Sequence, residues 1–199
     1  MNIIVILGHP TKGSFNHVIA DTAVSKLREN GHEVIYHDLY AEKFDPLLSG
    51  EEIPKEAELD PLIEKHCREI KDADGIIIIH PNWWGQPPAI LKGYVDRIIR
   101  AGVAYEFLEG DDGEGVPNGL LKAETALVFN TSNTPEIRER EIFGDPLENI
   151  WKNCIFDLCG VKNFYREMYQ VVVTSSLKKR HLWLENVAKT VELYFPPEK

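Results

Sequence analysis

The chain has 199 residues, 43% of them hydrophobic and 27% charged, with a net charge of −10. That length suits a single domain spanning residues 1–199, with a sizeable apolar core, and is cramped for two. The acidic balance supplies no basic face for phosphates, which argues against nonspecific nucleic-acid binding and against docking to anionic lipid.

The first element, NIIVILG (residues 2–8), is continuously apolar, as a strand covered on both faces must be. Residues 16–28 follow with Ile19, Ala20, Ala23, Val24 and Leu27 at helical spacing, and Gly31 sits where a helix stops. EVIYHDL (33–39) reads as a second strand. An acidic, proline-containing stretch (40–58) leads to a helix over about 59–73, then the third strand, GIIIIH, then a helix over 89–100. The stretch 102–119 is long for a connector, and long loops in compact domains are often functional. TALVFN (125–130) is the fourth strand. In DPLENIWKNCIFDLCG, Asp145 is placed to cap, Pro146 suits the first helical turn, Glu148 completes a capping-box spacing and Gly160 ends the helix. A fifth strand lies within 164–173, and a last helix runs from about Ser176 to Tyr194.

The three cysteines, Cys67, Cys154 and Cys159, form no C-x-x-C pair and are expected as buried thiols in a reducing compartment. The N-terminus lacks a basic start and runs into a glycine, so it reads as a strand and not a signal peptide. No apolar run approaches the length of a membrane span. The expectation is a cytoplasmic protein with no membrane insertion.

Short apolar strands alternating with helices predict an α/β fold with a doubly wound, five-stranded parallel sheet in the flavodoxin-like order 2-1-3-4-5. In such sheets ligands bind beyond the carboxyl ends of the strands where the order reverses, so the loops after strands one, three and four carry the interest. The first reads GHPTKGSFN; it has neither Walker A spacing nor G-x-G-x-x-G, but its polar Thr11, Gly13 and Ser14 lead into a helix N-terminus that suits a phosphate. A strand-to-helix turn needs a capping serine in any case. The second reads HPNWWGQPP. Its prolines and Gly85 stiffen a bend that holds Trp83 and Trp84 at the rim of the crevice; one indole is expected to fill core space and at least one to meet a flat ligand. The third, NTSNTP (130–135), offers small polar donors or is an ordinary turn.

Together these loops resemble the NAD(P)H:quinone oxidoreductase (DT-diaphorase) family of flavodoxin-like flavoproteins, in its short bacterial form. The resemblance rests on His9 with Ser14-Phe15-Asn16, and on PNWWGQPPAILKGYVDRIIRAGVAYEF, in which PAILKG and Ala104-Tyr105 match closely. It implies that His9, Ser14, Phe15 and Asn16 meet the phosphate-bearing tail of FAD or FMN. Pro81, Asn82, Trp83 and Trp84 would then line the ring, and Thr131, Ser132 and Asn133 its pyrimidine edge. It also implies NAD(P)H as electron donor, a quinone-like acceptor contacted by Trp84 and Tyr105, and a homodimer in which Tyr105 reaches the partner's pocket. The chain departs from the family in its fourth loop, often Thr-Thr-Gly-Gly, and in Phe143, which stands where the animal enzymes have a histidine. No Ser-His-Asp set, His-Glu-x-x-His or carboxylate pair is evident, so no catalytic side chain is assigned. Two other readings remain at this point: a regulatory flavoprotein subunit of a potassium-efflux transporter, and a one-electron flavodoxin shuttle.

Overall fold

A computed structural model of the chain describes residues 1–108, 110 and 115–198. Its elements in chain order are β1 (Asn2–Leu7), α1 (Phe15–Glu29), β2 (Glu33–Asp38), α2 (Pro61–Asp72), β3 (Gly75–Pro81), α3 (Ala89–Ile98), β4 (Tyr105–Glu106), β5 (Asn118–Gly119), β6 (Thr125–Ser132), α4 (Pro146–Glu148), β7 (Asn163–Gln170) and α5 (Leu177–Tyr194). Five strands form one parallel sheet in the order β2-β1-β3-β6-β7. Counting the sheet strands alone, this is the expected order 2-1-3-4-5.

The pleat explains the sequence. Successive side chains of a strand point to opposite faces, so an all-apolar strand must be covered twice. Ile3, Val5, Leu7, Ile77, Ile79, Leu127 and Phe129 face α1 and α5, where they meet Ile19, Ala23, Leu27, Val187 and Val191. The alternate residues Ile4, Ile6, Ile76, Ile78, Ala126 and Val128 face α2, α3 and Trp151, with Ile63, Ile70, Leu91 and Tyr94. The edge strand β7 is only partly buried and reads as a mixture of aromatic and charged residues. Gly93, the glycine of the PAILKG match, has a packing reason: a Cβ there would meet the Pro46 carbonyl oxygen at 2.2 Å.

Several local expectations are corrected. Asp145 does not cap a helix. It adopts a left-handed conformation, and its carboxylate and that of Glu148 both bind the buried Arg166 guanidinium of β7. The helix that Pro146 starts becomes π-helical over Asn149–Phe156. Cys67 and Cys159 are buried, and burial pushes both thiols up to about 11. Cys154 is exposed. In the long connector, β4 and β5 pair as an antiparallel ribbon; residues 109 and 111–114 lie outside the described residues. Among the described residues no helix is long and apolar enough to cross a membrane.

Candidate functional site

The loop after β1 is pinned by its own backbone. The Thr11 N–H donates to His9 Nδ1 at 3.1 Å, and the Ser14 N–H donates to the Thr11 carbonyl at 3.1 Å across Gly13, whose φ of 74° favours glycine. With Nδ1 accepting, the neutral His9 ring carries its proton on Nε2. Burial holds its pKa below the ordinary histidine value. Ser14 stands at the N-cap of α1, yet its hydroxyl caps nothing. It lies 2.8 Å from His17 Nδ1, and His17 Nε2 lies 3.3 Å from Asp38 Oδ2 at the end of β2. A Ser-His-Asp chain is therefore present after all. Its ring nitrogens are used in the reverse order from a hydrolase triad, where Nε2 faces the serine. It orients a hydroxyl beside the positive end of a helix whose first N–H groups no side chain caps, an arrangement suited to an anion.

The loop after β3 is a two-residue hairpin turn. Trp83 and Gln86 exchange both backbone hydrogen bonds at 3.0 Å, and the residues between them have φ of 59° (Trp84) and 72° (Gly85). Such turns normally take Asn-Gly, because both central residues need positive φ. A tryptophan there costs about 1–2 kcal/mol. Asn82 holds the base of the turn: its Oδ1 accepts from the Gly85 N–H at 2.9 Å, and its Nδ2 donates to Glu139 Oε1 at 2.8 Å. Neither indole fills core space, contrary to expectation. Trp83 is 42% exposed and stands beside His9, ring centroids 6.3 Å apart; Trp84 is fully exposed. The turn is too tight to fold either ring back beneath the sheet. The tryptophan that does enter the core is Trp151.

The loop after β6 is tied to the first by Asn16 Nδ2, which donates to Thr131 Oγ1 at 2.9 Å, both residues being buried. The Asn82 N–H bonds the Thr131 carbonyl at 2.6 Å, joining the second loop to the third. Ser132 Oγ accepts from the Thr134 N–H, leaving its own proton to donate, while Asn133 Oδ1 accepts from Val173.

These ties close a cleft of about 320 Å³ at the β1/β3 switch point. His9, Ser14, Phe15 and Asn16 form one wall, Pro81, Asn82 and Trp83 a second, and Thr131, Ser132 and Asn133 a third. Trp84 is set apart from this group. It flanks an adjoining, mostly apolar cavity of about 550 Å³ with Gly85, Glu139, Phe143 and Pro146, and Asn82 and Thr134 touch both spaces. Tyr105 lines neither; it packs edge-on against Phe107 in the ribbon. Sequence reading missed Thr134, Val172 and Val173 of the cleft, Glu139 of the cavity, and the His17–Asp38 pair. Thr134 adjoins the loop already singled out. The others lie in separate elements, His17 in the first turn of α1, Asp38 at the end of β2, Glu139 in a short helical segment after β6 and Val172 and Val173 just after β7, and only the fold brings them to the site.

Two further strand-end histidines point away from the cleft. His80 is fully buried behind β3: Nδ1–H donates to the Pro81 carbonyl at 2.8 Å, while Nε2 accepts from Asn130 and Trp151. Burial pushes it down to about 4. His37 belongs to a separate cluster on the other side of β2.

The family model described as flavodoxin-like fold matches residues 1–186. The chain belongs to that family. An NAD(P)H oxidoreductase of Haemophilus influenzae, itself named as uncharacterised, is 33% identical over 96% of this chain and 95% of its own. NAD(P)H dehydrogenase (quinone) 1 of Cavia porcellus is 28% identical over 98% of this chain and 80% of its own. Among solved structures of the family's fold, the NAD(P)H:quinone oxidoreductase from Methanothermobacter marburgensis superposes with a TM-score of 0.83 at 25% identity, covering 96% of this chain and 97% of that one.

Proposed function

We propose that the protein is a flavin-dependent NAD(P)H oxidoreductase that reduces quinones or similar small acceptors, working as a cytoplasmic homodimer. The observation that carries this reading is the meeting of three loops in one cleft, beside a second cavity that shares a wall with it. The donor set suits a flavin, whether FMN or FAD. The uncapped first turn of α1 with the Ser14 hydroxyl suits a phosphate, Trp83 and Pro81 suit a flat ring, and Thr131 and Ser132 suit a carbonyl-rich edge. A flavin bound there would supply the hydride chemistry that no side chain of this chain needs to perform.

The residues then bind, orient and exclude water. The His17–Asp38 pair aims Ser14 at the anionic end, and the Asn16–Thr131 bond holds two walls at a set separation. Hydroxyl and backbone donors at the third wall stabilise negative charge without a general acid. The apolar cavity under Trp84 and Phe143 takes nicotinamide and acceptor in turn, which makes the kinetics ping-pong, and Tyr105 of a second copy covers it. The relatives' names support the donor and acceptor classes.

The test is direct. The purified protein should be yellow; the released flavin is identified by mass, and NADH and NADPH oxidation is followed with a panel of quinones. Parallel double-reciprocal lines are expected. Colourless protein that stays so after incubation with FMN and FAD removes the proposal.

A further inference from the structure

Behind β2, away from the flavin cleft, His37, Glu42 and His66 bring one ligand atom each to within 4.8 Å of one another. His66 is fully buried, and neither of its ring nitrogens has a hydrogen-bond partner among the described residues. That is a costly condition, because a buried polar group without a partner has given up its hydrogen bonds to water and gained none in return. The Glu42 carboxylate spans the two rings, with Oε1 2.8 Å from His37 Nδ1 and Oε2 3.6 Å from His66 Nε2. The imidazoles face each other with centroids 4.0 Å apart. On its far side His37 Nε2 lies 3.0 Å from Glu69 Oε2, and Lys65 in turn holds Glu69.

We propose that His37, Glu42 and His66 bind a divalent transition-metal ion of the Zn²⁺ class, with water as fourth ligand and Glu69 orienting His37. Two imidazoles and a carboxylate make a borderline-soft N/O set that favours Zn²⁺ over the hard ions Ca²⁺ and Mg²⁺. The Glu69 contact is the second shell such sites carry: a carboxylate taking the far N–H of a ligating histidine fixes the tautomer that presents Nδ1 to the metal. Phe44 and Tyr94 wall the site with aromatic rings 5.6 and 5.5 Å from His66. Glu42 is exposed, which gives an ion a way in. The metal ties the end of β2 and the turn after it to α2, so its role is structural, and the proposal stands independently of any flavin.

The experiment uses the protein as purified, stripped with EDTA, dialysed, and titrated with Zn²⁺ against a chromophoric chelator. One tightly bound zinc per chain is expected, with Tm rising by about 5–10 °C when zinc stands a hundredfold above its dissociation constant. Glu42→Gln, a surface change that leaves packing intact, and His66→Phe, which keeps a ring against Phe44 and Tyr94, should each abolish both effects. Glu69→Gln should weaken zinc about 10–100-fold without abolishing it, a graded response that a packing role alone does not produce. Wild-type protein that binds no zinc overturns the proposal. So does zinc binding that survives Glu42→Gln, since it then belongs to other surface histidines.

Discussion

His80 and His66 are both fully buried histidines against the same face of the sheet, and they could hardly be more differently provided for. His80 has each ring nitrogen engaged, with Trp151 and Asn130 donating to one and Pro81 accepting from the other. Among the described residues His66 has neither engaged, while a carboxylate and a second imidazole stand just beyond hydrogen-bond reach. A closed polar network of the first kind rigidifies a core, and a buried polar group of the second kind calls for an explanation, for which a bound metal ion is proposed above. The tryptophans divide in the same way. Trp151 is buried and partnered, whereas Trp84 is held in solvent by a strained turn, and strain of that kind collects at ligand sites.

Substitution separates the two kinds. His80→Phe strands two buried donors, each worth about 1–3 kcal/mol, so a loss of about 2–6 kcal/mol in urea unfolding is expected. A loss below 1 kcal/mol would break the comparison. Acid should reach the same group. Because the folded state lowers the His80 pKa from 6.5 to about 4, the unfolded chain binds the proton first. Its contribution is therefore complete above pH 6.5 and is lost as pH falls towards 4, by about 3 kcal/mol. His66 shifts in the same direction. Unfolding free energies at pH 7 and pH 4 should show the drop, and His80→Phe should remove the His80 share of it while leaving that of His66.

His66→Phe in the presence of chelator removes no hydrogen bond, so a change within about 1.5 kcal/mol is expected from the same unfolding curves. A large loss would show that the ring is already partnered. The smallest effect falls at the exposed turn. Trp84→Asn relieves the left-handed backbone and should raise stability by about 1 kcal/mol, while lowering turnover with quinones if Trp84 shapes the acceptor cavity. Unchanged stability would mean that the turn is unstrained.

The fold was legible because burial on both faces leaves no polar alternation: IIVIL and GIIII are short, rich in β-branched residues and followed by turn signals, which marks them as central strands, and the intervening amphipathic stretches read as helices. The three loops of the cleft were legible for the same reason, since parallel topology dictates which strand ends meet. Asp145 shows where local rules fail. Its spacing to Glu148 is that of a capping box, but a buried arginine from β7, eighteen residues beyond Glu148, claims both carboxylates. Trp83 and Trp84 were both expected at the rim of one crevice with one ring turned inward; neither turns inward, and of the two Trp83 lines the cleft while Trp84 flanks the adjoining cavity. The reciprocal bonds of the Trp83–Gln86 turn, which prevent an inward ring, leave no mark in composition.

Hydrophobic order along the chain thus determined the elements of this protein and the faces they bury, because these follow from a short-range period, and the topology rule for doubly wound sheets then supplied the strand order and the end where the three loops meet. Which side chains become partners was decided by the tertiary structure alone. Ser14 with His17 and Asp38, His37 with Glu42, Glu69 and His66, and His80 with Asn130 and Trp151 join residues up to 71 positions apart. A hydrogen bond needs its atoms within about 3 Å, and for the pairs distant in sequence, such as His80 with Trp151 and His37 with Glu69, only the closing of the fold brings the residues that near.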